Sequence, residues 1–309
     1  MVHGLHHLTA LAGDPQANHD FYTGTLGLRL VKVTVNFDDP SVYHLYFGDG
    51  AGTPGTVITS FPYGRALPGT RGRGEASAVT LLVPEGTLDR WAVRLPGANE
   101  ATSFGHRQLR LLDPDRMEIR LQEAPERIRV AWPGMPIPPE EAIVRMGGIE
   151  LTPAIIPGVG PRRARYGDTT ELLARLGATE SAREGNVVRH ALGDAFLDVV
   201  TDETLMPANQ SAGSIHHVAF RVADDAEQAR ALADLQALGV PVSEIRDRDY
   251  FHSIYFREPG GILYEIATET PGFTTDEPFE SLGSALRLPT QHEPRRAEIE
   301  ARLTPLRQS

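Results

Sequence analysis

Cysteine is absent from this sequence, and the absence excludes several kinds of site at once. Disulfide bonds, thiolate catalysis, iron–sulfur clusters and cysteine-based zinc sites all require the missing thiol. Any metal ion must therefore be bound by histidine, aspartate or glutamate side chains. A chain without cysteine also suits a reducing compartment, and we expect a cytoplasmic protein.

Long apolar runs and an excess of positive charge are also missing. No apolar run approaches the roughly 18 residues needed to span a membrane, and no basic segment leads into an apolar run at the N-terminus. The 30 lysines and arginines are outnumbered by 41 aspartates and glutamates, for a net charge of −11. Such a charge disfavours sequence-independent binding to nucleic acid or to anionic lipid. We therefore expect neither a membrane nor a nucleic acid as a partner.

What is present is the composition of an ordinary globular protein with a sizeable core. The 309 residues are 40% hydrophobic and 23% charged. Collagen-like, coiled-coil and low-complexity chains are excluded by the same composition. The length suits one large domain or two domains of ordinary size.

A weak internal repeat predicts the architecture. Residues 5–11 and 215–221 are short strand-like runs that open with paired histidines, and each precedes a helix-like segment, Pro15–Leu26 or Ala226–Leu238. Three further strand-like stretches follow in each copy. They are Arg29–Asn36, Val42–Phe47 and Thr56–Phe61 in the first copy, and Val240–Ile245, Ser253–Arg257 and Ile262–Thr268 in the last.

Two fainter copies fill the middle of the chain. One begins with a strand at Ala76–Val83 and a helix at Leu88–Leu95, and the other with a strand at Gly148–Thr152 and a helix at Thr169–Leu176. Each copy continues with two more predicted strands, at Arg107–Leu112 and Arg116–Leu121 and at Val187–Leu192 and Ala195–Thr201. Four βαβββ units therefore account for most of the chain, which is an α+β organisation.

The repeat and the proline content predict the domain boundaries. Two units fill an N-terminal half, residues 1–131, and two fill a C-terminal half, residues 145–271. Between them lies a proline-rich connection, residues 132–144. We expect residues 272–309 to form a tail packed on the surface, with a short charged helix at Arg295–Leu303.

Two histidine pairs and one glutamate are the main candidates for chemistry. Because neighbouring side chains of a strand point to opposite faces, only one histidine of each pair is expected to face a shared site. The repeat pairs either His6 with His216 or His7 with His217. Glu265 lies on an apolar strand face, where a carboxylate is either exposed or held inside by something positive.

Several strings carry a resemblance to a known family. Leu5–Thr9, Ile215–Ala219 and Leu263–Ala267, set in four βαβββ units, resemble the vicinal oxygen chelate superfamily. Within it, the chain is most similar to the bacterial ring-cleaving dioxygenases that open hydroquinones and chlorohydroquinones. Further strings that fit this subgroup are Tyr43–Phe47, Gly52–Thr56, Asp247–Phe251 and Asp276–Pro278.

The resemblance implies a fold and a set of site residues. The four units would form two half-open β-barrels, and His7, His217 and Glu265 would bind Fe(II), with Mn(II) as an alternative. The substrate pocket around the metal would be lined by His6, Thr9, His216, Arg248 and Tyr255. Predicted roles are a substrate oxygen anion held by Arg248, a hydrogen bond from Tyr255, and proton transfer by His6 or His216.

The chemistry of these residue types supports the same site. Two imidazoles and one carboxylate form the facial triad of non-haem iron oxygenases, which leaves positions for a substrate oxygen and O₂. Glyoxalase-type members need a fourth ligand, and the strand Gly55–Phe61 contains no carboxylate, histidine or glutamine to supply it. The middle units lack paired histidines at Ala76–Val79 and Gly147–Glu150, so the first and last units are expected to face each other across the metal.

Other polar residues are given ordinary structural interpretations. Glu118 occupies the place of Glu265 in the second unit, and without histidines beside it we expect a surface carboxylate. Six histidines are expected to be hydrogen-bonded core or surface residues: His19, His44, His106, His190, His252 and His292.

The predicted function is Fe(II)-dependent, O₂-dependent opening of a hydroquinone-type ring, a step of aromatic compound degradation. The expected partners are a small aromatic substrate and O₂, and a homo-oligomer is left open. Two alternatives share the fold: a catechol-cleaving dioxygenase, and a metal-dependent isomerase or lyase of glyoxalase type. A metal-free binding protein is a further alternative from another class, because fold alone does not decide function.

Overall fold

The computed structural model describes residues 1–154 and 167–308 of the chain. In this part, the strands in chain order are β1 (Leu5–Ala12), β2 (Arg29–Val35), β3 (Tyr43–Gly48), β4 (Val57–Pro62), β5 (Glu75–Pro84), β6 (Asn99–Ser103), β7 (His106–Leu112), β8 (Glu118–Ala124), β9 (Arg145–Thr152), β10 (Thr179–Glu184), β11 (Val187–Leu192), β12 (Ala195–Val200), β13 (Ile215–Val222), β14 (Arg246–Asp247), β15 (Phe251–Arg257) and β16 (Leu263–Pro271). The α-helices are α1 (Pro15–Asp20), α2 (Leu88–Arg94), α3 (Thr169–Leu176), α4 (Asp225–Ala237) and α5 (Arg296–Arg302).

The strands form two eight-stranded sheets, and each sheet joins two of the repeated units. The first sheet has the order β14-β15-β16-β13-β1-β4-β3-β2, which unites the first and last units. The second has the order β10-β11-β12-β9-β5-β8-β7-β6, which unites the two middle units. The α+β fold with four βαβββ units in two half-open barrels is confirmed. The domain boundaries stay a prediction, since each sheet takes one unit from each half of the chain.

Matching β-bulges lie at the centre of both sheets. In the first sheet, β1 pairs antiparallel with β13, and register shifts leave His6 and His216 as extra residues. In the second, β9 pairs antiparallel with β5, and shifts at the same places leave Gly147 and Ser77 as extra residues. A bulge interrupts the normal alternation of side chains between the two faces. The bulges also align the two sheets position by position.

The helices lie close to their predicted positions. The α3 helix covers the predicted Thr169–Leu176, because the Asp168 side chain caps its start and Gly177, at φ 106°, ends it. The segment predicted at Pro15–Leu26 is found as α1 followed by a π-helical turn at Phe21–Thr25. No helix among the described residues is long and apolar enough to cross a membrane.

The strand predicted at Val240–Ile245 is wrong. The structure has only the two-residue β14 after it and an isolated bridge between Val242 and Phe256. Pro241 has no amide proton for a strand ladder. In addition, the Ser243 hydroxyl accepts the hydrogen bond of the Tyr255 amide at 3.0 Å, where a regular strand would use a backbone carbonyl.

The C-terminal tail packs against the first sheet through a buried lysine. Lys32 on β2 is fully buried, and its ammonium group lies 2.6 Å from Asp276 and also contacts Glu277. Phe273 packs edge-on against Tyr46 of β3, with ring centroids 5.1 Å apart. The tail therefore packs against β2 and β3 of the sheet that carries the candidate site.

Candidate metal centre

Three ligand-type side chains converge where the first and last units meet. His7 projects from β1, His217 from β13 and Glu265 from β16, and all three are buried. The two histidine Nε2 atoms lie 3.2 Å apart. Glu265 Oε2 lies 3.3 Å from His7 Nε2 and 2.9 Å from His217 Nε2. Among the described residues, these three form the group that could hold a metal ion through three ligand atoms.

The strand register explains why the three side chains meet. Ala219 on β13 pairs with His7 on one side and with Glu265 on the other. His217 lies two residues before Ala219 and therefore shares its face of the sheet. The small methyl group of Ala219 leaves room for the larger side chains around it.

The donor set suits a small divalent cation. Glu265 Oε2 is buried and makes no well-aligned hydrogen bond to any described residue, whereas Oε1 accepts one from the Ser253 hydroxyl. A buried carboxylate oxygen without a partner is costly unless a positive charge lies beside it. Ligand atoms about 3 Å apart fit right-angle coordination by an ion with bonds of about 2.1 Å.

Electrostatics favour the forms of these side chains that bind metal. Burial lowers the pKa of His217, so its imidazole is neutral. Burial alone would raise the pKa of Glu265, but the neighbouring His7 and His217 hold it well below its usual value. The site therefore presents neutral imidazole and ionised carboxylate, which are the ligating forms.

In each pair, the first histidine contacts the second at Nδ1, the ring nitrogen that does not face the triad. Nδ1 of His6 lies 2.9 Å from Nδ1 of His7, and Nδ1 of His216 lies 2.8 Å from Nδ1 of His217. Burial lowers the pKa of His6 to about 3, so this ring is neutral. Its Nε2 proton is donated to the Thr268 carbonyl at 3.0 Å, so its Nδ1 must accept from His7 Nδ1. The His7 proton that this contact requires therefore lies on Nδ1, which leaves Nε2 as the ring nitrogen that serves as a metal ligand.

The expectation that only one histidine of each pair faces the site is wrong for the second pair. His216 and His217 both line the same cavity. The cause is the bulge at His216, which breaks the strict alternation of β13. His6, at the corresponding bulge of β1, is not part of the cavity wall and packs edge-on against His7 and Phe251.

A cavity of about 420 Å³ opens beside the triad. Many of its wall residues carry rings, namely Phe37, His44, Tyr46, Phe61, Tyr63, His216, Phe251 and Tyr255. Polar groups in the wall, besides the triad, belong to Asn36, Asp38, Asp39, Arg246 and Arg248. A small cavity with apolar rings and a few polar groups is typical of a site for a small organic molecule.

Arg248 and Tyr255 form a fixed pair in the cavity wall. Arg248 Nε donates to Tyr255 Oη at 3.1 Å. The Arg248 guanidinium carbon lies 5.2 Å from the Tyr255 ring centroid and 5.0 Å from that of Phe37. Burial raises the pKa of Tyr255, so its phenol stays protonated. The pair therefore places a positive charge and a phenol group beside the triad.

The structure brings some of the expected pocket residues to the cavity and places others behind the ligands. His216, Arg248 and Tyr255 line the cavity, but His6 and Thr9 do not. Thr9 is fully buried and pairs with His217 across the two central strands. Its hydroxyl oxygen lies 2.9 Å from His217 Nε2. Thr9 and His6 therefore contact ligand histidines directly instead of lining the cavity.

Sequence reasoning missed two residues that the structure brings to the site. The sequence pattern treats His44 as an ordinary histidine, but it lies in the cavity wall. Ser253, which orients Glu265 by a hydrogen bond, has no sequence signal of its own. A signal for His44 was present in the alternation of β3, which places His44 and Tyr46 on one face.

The second sheet does not repeat the triad in its described residues. The sequence expectation that Glu118 takes the place of Glu265 is wrong by two residues. In the frame set by the bulges, Thr80 stands where Ala219 stands in the first sheet, and Thr80 pairs with Arg120. Arg120 therefore occupies the position of Glu265.

A family model matches two long segments of the chain, residues 4–115 and 157–266. Its description is the glyoxalase/bleomycin resistance protein/dioxygenase superfamily. The two segments together include the triad and all the described strands except β8, β9 and the end of β16. The match agrees with the βαβββ repeat found in the structure.

Curated relatives are similar along almost the whole chain. A Bacillus subtilis protein with the provisional name ring-cleaving dioxygenase MhqO is 40% identical over 311 residues, which covers 98% of this chain and 96% of the relative. A Sphingobium indicum protein named chlorohydroquinone/hydroquinone 1,2-dioxygenase is 37% identical over 309 residues, covering 94% and 93%.

Solved structures with the same fold are similar to this one. A crystal structure from Bacillus subtilis, provisionally described as a dioxygenase, has a TM-score of 0.91 and 37% identity, and covers 99% of this chain and 98% of that one. Glyoxalase I from Zea mays has a TM-score of 0.57 and 14% identity, with 86% and 92% covered, and shows the fold alone.

Proposed function

Because the chain belongs to the glyoxalase/bleomycin resistance protein/dioxygenase superfamily, we propose that it is a ring-cleaving dioxygenase that acts on a hydroquinone-type aromatic with O₂. The observation that carries the proposal is the buried group of His7, His217 and Glu265 beside a ring-lined cavity. The names of the relatives support the reaction class and the type of substrate.

The metal held by His7, His217 and Glu265 would be Fe(II), with Mn(II) as the alternative. Such an ion supplies open positions for a substrate oxygen and O₂ and carries the electron transfer between them. Two imidazoles and one carboxylate are the donor set typical of this chemistry. The protein's own residues have to bind the ring, orient it and move its protons.

Arg248 and Tyr255 would bind an oxygen atom of the substrate. The Arg248 guanidinium is a permanent positive charge, so it favours the ionised form of a phenol. Because Tyr255 Oη accepts a hydrogen bond from Arg248 Nε, the Tyr255 hydroxyl keeps its own proton for another acceptor. The two groups together therefore suit a phenolate oxygen.

Proton transfer is assigned to His216 rather than to His6. Both nitrogens of His6 are engaged, one by His7 and one by the Thr268 carbonyl, and His6 does not line the cavity. His216 lines the cavity and uses Nδ1 for its contact with His217. Its Nε2 atom is the one available to exchange a proton with a substrate hydroxyl.

The alternative of a glyoxalase-type isomerase or lyase is disfavoured by β4. The family resemblance places a fourth ligand on this strand, and the residue of β4 that pairs with Thr9 is Thr59. A threonine hydroxyl is a much weaker metal ligand than a carboxylate. A site with three protein ligands leaves more positions for substrate and O₂ than a site with four.

Oxygen uptake tests the proposal directly. The protein is reconstituted with Fe(II) without oxygen and then mixed with hydroquinone, chlorohydroquinone or catechol in aerated buffer. We expect uptake with a hydroquinone, coupled to loss of the ring absorbance, and none with the His217→Ala variant. A matched control is His252→Ala, because His252 is partly exposed and contacts Asp225 rather than the triad.

The outcomes separate the alternatives. Faster uptake with catechol than with either hydroquinone would favour the catechol-cleaving alternative. Bound metal without uptake on any of the three substrates would favour the isomerase or lyase alternative. Equal uptake by the wild type and His217→Ala would remove the triad from the reaction.

A further inference from the structure

A continuous chain of buried hydrogen bonds leads from the cavity wall to the triad. Tyr46 Oη lies 2.9 Å from His44 Nδ1, and His44 Nε2 lies 2.9 Å from Thr59 Oγ1. Thr59 Oγ1 lies 2.8 Å from Thr9 Oγ1, and Thr9 Oγ1 lies 2.9 Å from His217 Nε2. All five side chains are buried. This series of hydrogen bonds runs across β3, β4, β1 and β13.

The direction of the first hydrogen bond is set by Tyr46. Burial raises the pKa of Tyr46 well above its usual value, so the phenol is protonated. Among the described residues, its hydroxyl has only His44 Nδ1 as a hydrogen-bond partner. The phenol proton is therefore donated to His44 Nδ1, which must accept it.

The second and third hydrogen bonds follow from the first. Burial lowers the pKa of His44 well below its usual value, so the ring is neutral and carries one proton. Since Nδ1 accepts, that proton lies on Nε2 and is donated to Thr59 Oγ1. The Thr59 hydroxyl then directs its own proton to Thr9 Oγ1.

We propose that Tyr46, His44 and Thr59 are positioning residues that fix the Thr9 hydroxyl as a hydrogen-bond donor toward the triad. Thr9 already accepts from Thr59, so its own proton is directed to the side where His217 Nε2 lies. A hydroxyl group can either donate or accept a hydrogen bond. The series of hydrogen bonds from Tyr46 to Thr59 selects the donating direction for Thr9.

The consequence for the reaction rests on the proposed function. When His217 Nε2 serves as a metal ligand, its lone pair is no longer available to Thr9. Although Thr9 is not part of the cavity wall, its proton then stays directed to the His217 side of the triad, where an oxygen atom that enters between the three ligand side chains would accept it. A donor oriented in advance costs no reorganisation when charge develops on that oxygen.

The tautomer of His44 tests the direction of the chain without any turnover. Long-range ¹H–¹⁵N spectra of the full-length, metal-free protein with labelled histidine report which ring nitrogen carries the proton. We expect His44 protonated at Nε2, with its signal identified by its absence from His44→Gln. In Tyr46→Phe, which loses only the hydroxyl, we expect the proton to be shared with Nδ1. A wild-type His44 protonated at Nδ1 would overturn the inference.

A matched pair of variants tests the role of the chain in turnover. Thr59→Val keeps the shape of the side chain but removes the hydroxyl, and Thr59→Ser keeps the hydroxyl. We expect Thr59→Val to lower kcat about ten-fold, less than the loss of a direct donor, with KM and Fe(II) content close to the wild type. Thr59→Ser should recover most of that loss.

The result of this pair is decisive in both directions. Equal kcat values for Thr59→Val and Thr59→Ser would overturn the positioning role, as would a fall in Fe(II) content that accounts for the whole loss. A wild type without ring-cleaving activity would remove the proposed function, and the His44 tautomer would still decide the direction of the chain.

Discussion

The two sheets share strand order, register and bulges, but only the first brings metal-ligating side chains together among the described residues. The bulges align the sheets position by position. Where the first sheet has its triad, the second has Gly148 for His7, Ala78 for His217 and Arg120 for Glu265. Two ligands are thus replaced by residues without a polar side chain, and the third by a cation.

Packing in the second sheet is closed to a metal ligand. A Cβ atom on Gly148 would lie 2.2 Å from the ring of Phe196, so the space of a histidine is already filled. The buried Arg120 lies 2.6 Å from Glu118 and 2.7 Å from Glu150. The second sheet therefore supplies its positive charge from within the chain.

The comparison shows that the same arrangement of strands and bulges can hold either an internal ion pair or a group of metal-ligating side chains. Both sheets place carboxylate groups beside one strong positive group, an arginine in one and, by our proposal, a metal ion in the other. An ion pair within the chain forms on folding and needs no ligand. A metal leaves coordination positions open for chemistry. Function therefore depends on a few positions rather than on the fold.

Glu265→Gln should break the comparison most severely. The amide has nearly the volume of the carboxylate but lacks its charge, so we expect oxygen uptake to be lost and Fe(II) affinity to fall by at least about 100-fold. The melting temperature of the metal-free protein should change little. Glu118→Gln, in the second sheet, is the control and should keep Fe(II). Normal Fe(II) content in Glu265→Gln would remove this residue from the ligand set.

Arg120→Met should have the opposite effect to Glu265→Gln: it should lower stability and leave metal binding unchanged. It leaves the partly exposed Glu118 and Glu150 without their cation, and the loss of hydrogen bonds to charged groups costs about 1 to 3 kcal/mol of the free energy of unfolding. The Fe(II) content of the folded protein should stay that of the wild type. Urea unfolding and metal analysis check the two parts separately. Loss of Fe(II) at unchanged stability would contradict the inference that Arg120 stabilises the second sheet and has no part in metal binding.

Asp113→Asn should sharpen the comparison by testing a contact between the first and second units, away from the triad. Asp113, before β8, accepts hydrogen bonds from Tyr22 Oη at 3.1 Å and from the Asp115 and Met117 amides. Burial raises its pKa to about 6. Folded Asp113 therefore keeps its carboxyl proton to a higher pH than an unfolded aspartate does. Ionisation of Asp113 consequently lowers the free energy of unfolding as the pH rises through this pKa.

The amide of Asp113→Asn does not titrate, which predicts a pH-dependent difference. Relative to the wild type, the variant should gain up to about 3 kcal/mol of unfolding free energy between about pH 4 and pH 7, from the shift against an unfolded pKa of about 3.9. Urea unfolding at several pH values measures this difference. A difference that stays constant with pH would contradict the assigned ionisation.

Ser253→Ala should have the smallest effect on the metal site. The Ser253 hydroxyl donates to Glu265 Oε1 and so orients the carboxylate. Loss of such an outer hydrogen bond typically lowers metal affinity about ten-fold, and we expect this for Fe(II). Ser77→Ala is the matched control, since Ser77 donates to Glu150 in the second sheet at 2.8 Å. Equal Fe(II) affinity in the two variants would contradict the orienting role of Ser253.

Much of the fold was predictable because its signals are local. Alternation along strands and helix signals such as Gly177 located most elements, and the repeat predicted their grouping. The edge strands β6 and β10 were missed because their residues are largely polar and exposed, which hides the alternation. The wrong strand at Val240–Ile245 reflects Pro241 and Ser243, whose effects depend on the neighbouring strand.

The candidate site divides in the same way. The repeat left two histidine pairings open, and the family resemblance singled out His7, His217 and Glu265. The sequence could not show that His216 lines the cavity, that His44 reaches it, or that Thr9 stands behind His217. Each of these depends on a bulge or on contacts across several strands.

The sequence by itself determined which residue types could bind a metal and that four units repeat, since both follow from composition and periodicity along the chain. Only the tertiary structure decided the rest. Strand register and two bulges join residues some 210 positions apart, such as His7 and His217. The same register places Arg120, and not Glu118, at the position of Glu265. A shift of two residues keeps the face of a strand but changes its neighbours, so periodicity alone cannot detect it.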